Sequence, residues 1–337
     1  MNLLRKILFP FSLIYGVITA VRNYFYDKGW WESRTYDTPI ICVGNLSTGG
    51  TGKSPMIEFL IDFLRKDFRI AVLSRGYKRK TTGFREVLVT STAEEVGDEP
   101  LQFKQNFSDT TIAVCADRRT GIEQLEAKAD VILLDDAFQH RKVKASTYIL
   151  LTPFNDLYSN DYVLPMGNLR EFRSGAQRAD IVLVTKCPEG VSYAKMQEIE
   201  KSLQLTTNQK VYFSKIGYDD FIFGPSETLP LQYLQNKKFT LVTGIANPKP
   251  LIHFLKRNEF QFTHDKFPDH HHFSASEIAK LKKNEIILTT EKDYMRLQPK
   301  LGKFAIYYLP IKTIILREQE EFLKKTILEK IDEARFS

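Results

Sequence analysis

An α/β fold built around a mostly parallel sheet is predicted by three observations. Short apolar runs alternate with amphipathic stretches of helical period. One such run opens residues 40–54, IICVGNLSTGGTGKS, and passes through a glycine-rich loop into a helical pattern. Another, residues 130–136 (DVILLDD), ends in paired carboxylates. Strands alternating with helices are the sequence signature of βαβ units and hence of a parallel sheet flanked by helices.

The loop at 40–54 carries the chemistry. Strand, glycine-rich loop and helix in that order form a phosphate loop, because successive backbone N–H groups wrap phosphate oxygens while the positive end of the next helix faces them. Ser47, Thr48, Gly49, Gly50, Thr51, Gly52, Lys53 and Ser54 are therefore the predicted nucleotide-binding residues. Lys53 would reach the β- and γ-phosphates and the Ser54 hydroxyl would ligand Mg²⁺, while Pro55 fits an early helical position. The usual G-x-x-x-x-G-K-[ST] pattern begins with glycine, and this chain has Ser47 there. The fold class expected is thus P-loop NTPase-like.

Composition bounds the rest. A chain of 337 residues, 43% hydrophobic and 26% charged, can bury a sizeable core in two domains. Cys42, Cys115 and Cys187 are scattered and lie in or beside strand-like runs, which fits reduced packing residues rather than disulfides or a zinc cluster. A formal charge of +7 suits an acidic partner: nucleic acid, a phosphorylated small molecule or an anionic membrane.

Residues 1–31 allow two readings. Arg5 and Lys6 precede an apolar run at 7–21, followed by Arg22 and the aromatic group Tyr24, Phe25, Tyr26, Trp30 and Trp31. The run is short for a membrane-spanning helix, which needs about 20 residues. A helix lying in a membrane surface, with aromatic side chains at the interface, is the expectation. A buried core helix is the alternative.

Strands are expected next at 69–74, 86–90, 112–116, 130–136, 147–151, 180–185 and 210–215. Asp98 and Glu99 sit in a turn before a helix at 101–107, a favourable place for negative charge at a helix start. Asp135 and Asp136, at a strand end downstream of a phosphate loop, read as the Mg²⁺-side acids. A lysine-rich polar stretch at 232–238 marks a boundary, giving a kinase-sized domain over 32–235 and a smaller α/β domain over 236–337 that ends in a charged helix. Within it, Ser274 and Glu277 form a capping box behind the loop Asp269-His270-His271-His272. Adjacent histidines diverge and make a poor metal set. One of them paired with a carboxylate would titrate near neutral pH; surface decoration is the other reading. Thr289-Thr290-Glu291-Lys292-Asp293 reads either as a ligand contact where strand becomes helix or as a helix cap.

Taken together, GNLSTGGTGKS, SRGY at 74–77, VGDEP at 96–100, DDAFQHR at 135–141, LPMGNLRE at 164–171, FPDHH at 267–271 and TTEKD at 289–293 resemble, in order and over nearly the whole chain, the tetraacyldisaccharide 4′-kinase family of lipid A biosynthesis. Ser47 matches that family's loop. Ala137 departs from an expected glycine, and Asn168 and Phe172 from expected prolines. The resemblance implies ATP and Mg²⁺ as cofactors, a tetraacyldisaccharide 1-phosphate as lipid substrate, lipid IV-A as product, and a place on the cytoplasmic face of a bacterial inner membrane. It implies Asp98 as the base that takes the acceptor proton, with His270 as its partner, and Glu171 beside Ser54, Asp135 and Asp136 around the metal. Arg75, Arg118 and Arg119 are candidates for holding phosphate charge. Two other readings remain at this stage. One is a regulatory P-loop GTPase, for which Thr185-Lys186-Cys187-Pro188 is only a loose base-reading motif; the other is a nucleic-acid-binding ATPase, against which the dispersed positive charge argues.

Overall fold

The computed structural model describes residues 5, 7–269 and 271–336. The chain forms two compact units: residues 1–216 with 313–337, and residues 217–312.

The first unit begins with helix α1 (Phe9–Asp27). It continues through β1 (Ile40–Asn45), α2 (Lys53–Leu64), β2 (Ile70–Ser74), the two-residue β3 (Arg85–Glu86), α3 (Ala93–Val96), α4 (Asp98–Asn106), β4 (Thr111–Val114), α5 (Arg118–Glu123), β5 (Val131–Asp135), β6 (Thr147–Pro153), β7 (Ile181–Thr185), α6 (Tyr193–Ser202) and β8 (Lys210–Tyr218). The sheet order is β15-β8-β7-β6-β1-β5-β2-β4-β3, where β15 is Ile311–Ile315. β1 pairs in parallel with β5 on one side and β6 on the other. After β1 the chain goes out past β5 to β2 and later returns to β6 on the opposite side. A topological switch therefore lies at the carboxyl end of β1, the place where open α/β sheets bind ligands.

Alternation along each strand divides the core. Ile40 and Cys42 of β1, Ile132 and Leu134 of β5, and Val182 and Val184 of β7 face one apolar cluster. Ile41 and Val43, Val131 and Leu133, and Ile181 and Leu183 face the other. Both faces are covered, which is why these strands read as continuous hydrophobic runs instead of alternating ones. Helix α2 presents Ile57, Leu60, Ile61 and Leu64 to the second cluster at helical spacing. The three cysteines are free and buried, packing in the first cluster.

The second unit holds the hairpin β9 (Phe221–Phe223) and β10 (Thr228–Pro230), then β11 (Phe239–Thr243), α7 (Lys249–Arg257), β12 (Phe262–Lys266), α8 (Ala275–Leu281), β13 (Ile287–Thr289), α9 (Glu291–Leu301) and β14 (Ile306–Tyr308). Its sheet order is β10-β9-β14-β13-β11-β12, with four parallel strands and the hairpin added antiparallel at β14.

The division falls earlier than the boundary expected after residue 235, and the last helix changes sides. Helix α10 (Glu320–Arg335) belongs to the first unit, because Leu323, Ile327 and Ile331, four residues apart, complete the cluster that α2 covers. The strand expected over 86–90 ends at Glu86, and Asp98, expected in a turn, is the first residue of α4.

Helix α1 inverts the usual burial. It turns Ser12, Gly16 and Thr19 toward the protein and leaves Phe9, Phe11, Leu13, Ile14, Val17, Ile18 and Val21 exposed. A Cβ at Gly16 would run into the Phe172 ring, so the small stripe is what allows close approach. Ser12 Oγ accepts from Met166 N at 2.8 Å, and Tyr15 OH donates to Arg170 O at 3.1 Å. The buried-core reading of this segment is overturned. Among the described residues, no helix is long and apolar enough to cross a membrane.

Candidate active site

The glycine-rich loop leaves the carboxyl end of β1 and hands over to α2 at Gly52, whose φ of 97° is left-handed and suits only glycine without strain. No side chain caps α2, so the amides of its first turn stay available to an anion. Loop shape is set from outside. Asn45 Nδ2 donates to Thr51 Oγ1 at 2.9 Å, Thr185 Oγ1 to Thr51 O at 2.7 Å, and Lys186 Nζ to Gly50 O. The Thr185-Lys186 segment thus braces the loop backbone, while Pro188 stands where a guanine-reading motif places its aspartate. A strap over residues 161–178 closes the other side: Thr48 N donates to Asn168 O at 2.8 Å and Arg170 N to Leu46 O at 2.7 Å. Asn168 N itself donates to Asp161, a bond that a proline at this position lacks.

Parallel pairing of Val43 with Asp135 brings the acids beside the loop. Asp135 is buried; its Oδ2 accepts from Ser74 Oγ at 2.9 Å, while Oδ1 is buried with no hydrogen-bond partner. Burial pushes its carboxyl up to about 7, with the nearby Glu99 and Asp136 charges adding to the effect. Asp136 takes a strained left-handed φ of 48°, which turns its carboxylate toward Lys53 Nζ at 3.7 Å and into the Arg170 fork at 2.9 and 3.2 Å. Burial works against its ionised form, yet Lys53 and Arg170 hold its carboxyl below the usual range. From α4, Glu99 Oε1 accepts from Ser54 Oγ at 2.6 Å. That bond places Glu99 at the start of α2, with Asp98 next to it in the chain. Glu99 is a site residue that sequence reasoning passed over, since only a contact across 45 positions reveals it.

A hard divalent cation fits here. Ser54 Oγ, Glu99 and the orphaned Asp135 Oδ1 are oxygen donors, and an unpartnered buried carboxylate oxygen is what a cation would satisfy. Among the described residues, no cluster of three His, Cys, Asp or Glu side chains encloses a metal by itself. The remaining positions would therefore fall to phosphate and water, as is usual for Mg²⁺.

Glu171 has a different place from the one the resemblance implies. It is fully buried, and its oxygens accept from Arg178 Nη2 at 2.7 Å, Gln139 Nε2 at 3.1 Å and Asn23 Nδ2 at 2.5 Å. Three donors thus occupy the Glu171 carboxylate in this structure. Arg118 is likewise buried, donating to Cys115 O at 2.7 Å and Asp135 O at 3.3 Å, so it supports the strand ends. Arg119 is half-exposed and lies 3.7 Å from Asp117, and Arg75 is exposed.

His270 lies outside the described residues. Its neighbour His271 stacks on Phe267 and bonds Glu277 of the capping box at 3.1 Å. The Ser274 backbone bond first, and His271 after it, hold the Glu277 carboxyl down to about 2. In the TTEKD segment Thr290 caps α9, and Asp293 is buried, accepting from Gly244 N at 2.8 Å. The helix cap accounts for the Thr290 contact, while the Asp293 carboxylate also ties α9 to the end of β11.

With this geometry in hand, comparison with known proteins is decisive. A family model described as tetraacyldisaccharide-1-P 4′-kinase matches residues 4–332. The chain belongs to the LpxK family of tetraacyldisaccharide 4′-kinases. It is 50% identical over 328 residues to tetraacyldisaccharide 4′-kinase from Flavobacterium johnsoniae, covering 96% of each chain. It is 42% identical to the enzyme of that name from Bacteroides thetaiotaomicron, covering 96% of this chain and 93% of that one. Among solved structures, LpxK from Aquifex aeolicus in complex with ATP superposes with a TM-score of 0.80 at 32% identity, covering 98% of this chain and all of that one. Membership of this family confirms the P-loop NTPase-like fold and gives no support to a GTPase or a nucleic-acid-binding ATPase.

Proposed function

We infer that this chain is an ATP-dependent lipid kinase that transfers the γ-phosphate of ATP to the 4′-hydroxyl of a tetraacyldisaccharide 1-phosphate, producing lipid IV-A and ADP in lipid A biosynthesis. The observation that carries this reading is the convergence of Lys53 with Asp136 and of Ser54 with Glu99 at one uncapped helix N-terminus in a member of that kinase family.

The residues divide the work. Amides of residues 49–54 would cradle the phosphates, Thr48 N being held by Asn168 O, and Lys53 would neutralise β- and γ-phosphate oxygens once phosphate competes it away from Asp136. Ser54, Asp135 and Glu99 would hold Mg²⁺, which when bound offsets charge on the transferred phosphoryl group. Asp136, already committed to Lys53 and Arg170, fits a role in orienting those two cations.

Asp98 is the proposed base. As the acceptor hydroxyl oxygen bonds to the γ-phosphorus and the bond to the β–γ bridging oxygen breaks, the hydroxyl proton passes to a carboxylate and ADP carries off the electron pair. Support for Asp98 comes from its position at the start of α4, next to Glu99 on Ser54.

A substrate with four acyl chains does not leave a bilayer readily, since each buried CH₂ contributes about 0.8 kcal/mol. The outward apolar face of α1, with Trp30 and Trp31 exposed near its end, supports docking to the membrane surface, and with ATP as donor the cytoplasmic face is the side proposed. Transfer of one phosphate from Mg-ATP to the detergent-dispersed lipid tests the whole reading.

A further inference from the structure

Resting on that kinase reading, one further link joins the surface helix to the reaction. The strap over residues 161–178 is gripped from two sides. On one side α1 holds it through Ser12 on Met166, Tyr15 on Arg170 O and Asn23 on Glu171. On the other it is tied to the glycine-rich loop at Thr48, at Leu46 and by the Ser47–Leu169 bridge. Between these grips Arg170 reaches out to Asp136, the partner of Lys53.

Asn23 is the polar pin of this arrangement. Its Oδ1 accepts from Arg22 Nη2 at 3.0 Å while its Nδ2 donates to Glu171 Oε2 at 2.5 Å. Glu171 is fully buried between Asn23, Gln139 and Arg178, and Gln139 in turn accepts from Arg170 Nη1 at 3.3 Å and donates to Asn45 O at 2.9 Å. One hydrogen-bonded network thus runs from the helix with the outward apolar face to the end of β1. A buried carboxylate losing one of its donors is costly and shifts its neighbours. A small displacement of a cation beside transferring phosphate has a large effect on rate.

We propose that Asn23 is a positioning residue for phosphoryl transfer: through Glu171 it fixes the strap that presents Arg170 to Asp136. Seating of α1 then serves turnover as well as membrane attachment. If α1 were only an anchor, changes on its inner side would raise the KM for lipid and leave kcat alone. If Asn23 positions the strap, the loss falls on kcat at saturating lipid.

The test is steady-state phosphotransfer by the full chain with Mg-ATP and saturating detergent-dispersed tetraacyldisaccharide 1-phosphate. Asn23→Leu is expected to lower kcat roughly tenfold with sedimentation on lipid vesicles unchanged, and Asn23→Gln, which keeps an amide donor, to recover most of the rate. Should Asn23→Leu melt early, Asn23→Ser reads the same split. In a double-mutant cycle with Arg170→Lys the kcat losses are expected to be less than multiplicative, because both changes break one link. Wild-type kcat in Asn23→Leu, a loss confined to the KM for lipid, or fully multiplicative losses would each overturn the proposal. Failure of the wild-type chain to make product would instead overturn the kinase reading on which it rests.

Discussion

Asp135 and Ser74 are joined by a hydrogen bond of 2.9 Å that satisfies only one carboxylate oxygen and leaves the other buried and unpartnered. Burial and the adjacent acids raise its carboxyl to about 7, above the ordinary value of an unfolded aspartate. Without metal the folded state therefore binds more protons than the unfolded one between those values, and stability falls as pH rises through that window. Asp135→Asn removes this penalty. The metal-free variant is expected to melt higher than wild type at pH 8, with the difference shrinking toward pH 4, and to lose kinase activity. Equal melting temperatures at pH 8 by calorimetry would contradict the assignment.

Mg²⁺ binding carries the same proton linkage with the opposite outcome. Because the cation must displace the proton held on Asp135, nucleotide-supported Mg²⁺ affinity is expected to weaken as pH falls below about 7. Isothermal titration at pH 6 and pH 8 checks this, and Asp135→Asn should flatten the dependence.

The phosphate-loop lysine faces an acid in the structure described, Asp136 at 3.7 Å. Lys53→Ala is expected to cut kcat by ~10²–10³ through loss of transition-state charge neutralisation. Asp136→Asn should cost less, since it leaves the charge of Lys53 in place and removes only the carboxylate that orients Lys53 and Arg170. Single-turnover rates with saturating ATP distinguish the two.

Outward apolar side chains on α1 predict attachment without spanning. Replacing Phe11, Ile14 and Ile18 by serine leaves the inner stripe of Ser12, Gly16 and Thr19 untouched. The triple variant should keep its melting temperature and ATP affinity but sediment poorly with lipid vesicles and show a raised KM for lipid. Unchanged sedimentation would remove the membrane role from this face.

Helix α10 offers a stability test of the domain division. Ile327 is fully buried in the cluster that α2 covers, so Ile327→Ala should cost ~2–5 kcal/mol of the first unit's stability. Chemical denaturation with a probe in the first unit measures it.

Local chemistry made half of the site legible in the sequence. The phosphate loop is a contiguous motif whose glycines and lysine declare themselves, and a strand ending in two aspartates does nearly the same. What stayed hidden depends on contacts between distant positions. Glu99 meets Ser54 across 45 residues and Asn23 meets Glu171 across 148, and no window along the chain carries either signal. Glu171 is singled out by the resemblance alone, and its three donors, spread over residues 23, 139 and 178, leave no local signal. The last helix follows the second unit in the chain, yet its apolar stripe finishes the core of the first, a pairing that no local pattern carries. In α1 the outward apolar face is the one a surface-lying helix requires, as the sequence suggests; what no local pattern shows is the inner stripe Ser12, Gly16 and Thr19 on which the helix seats.

The most direct measurement is mass-spectrometric detection of phosphotransfer from Mg-ATP to tetraacyldisaccharide 1-phosphate in detergent, with Lys53→Ala and Asp98→Ala alongside. Wild type is expected to add one phosphate to the lipid, and Asp98→Ala to lose ~10²–10⁴ in rate. Full rate in Asp98→Ala would contradict the base assignment. No phosphorylated lipid from a wild-type chain that binds ATP would contradict the kinase itself.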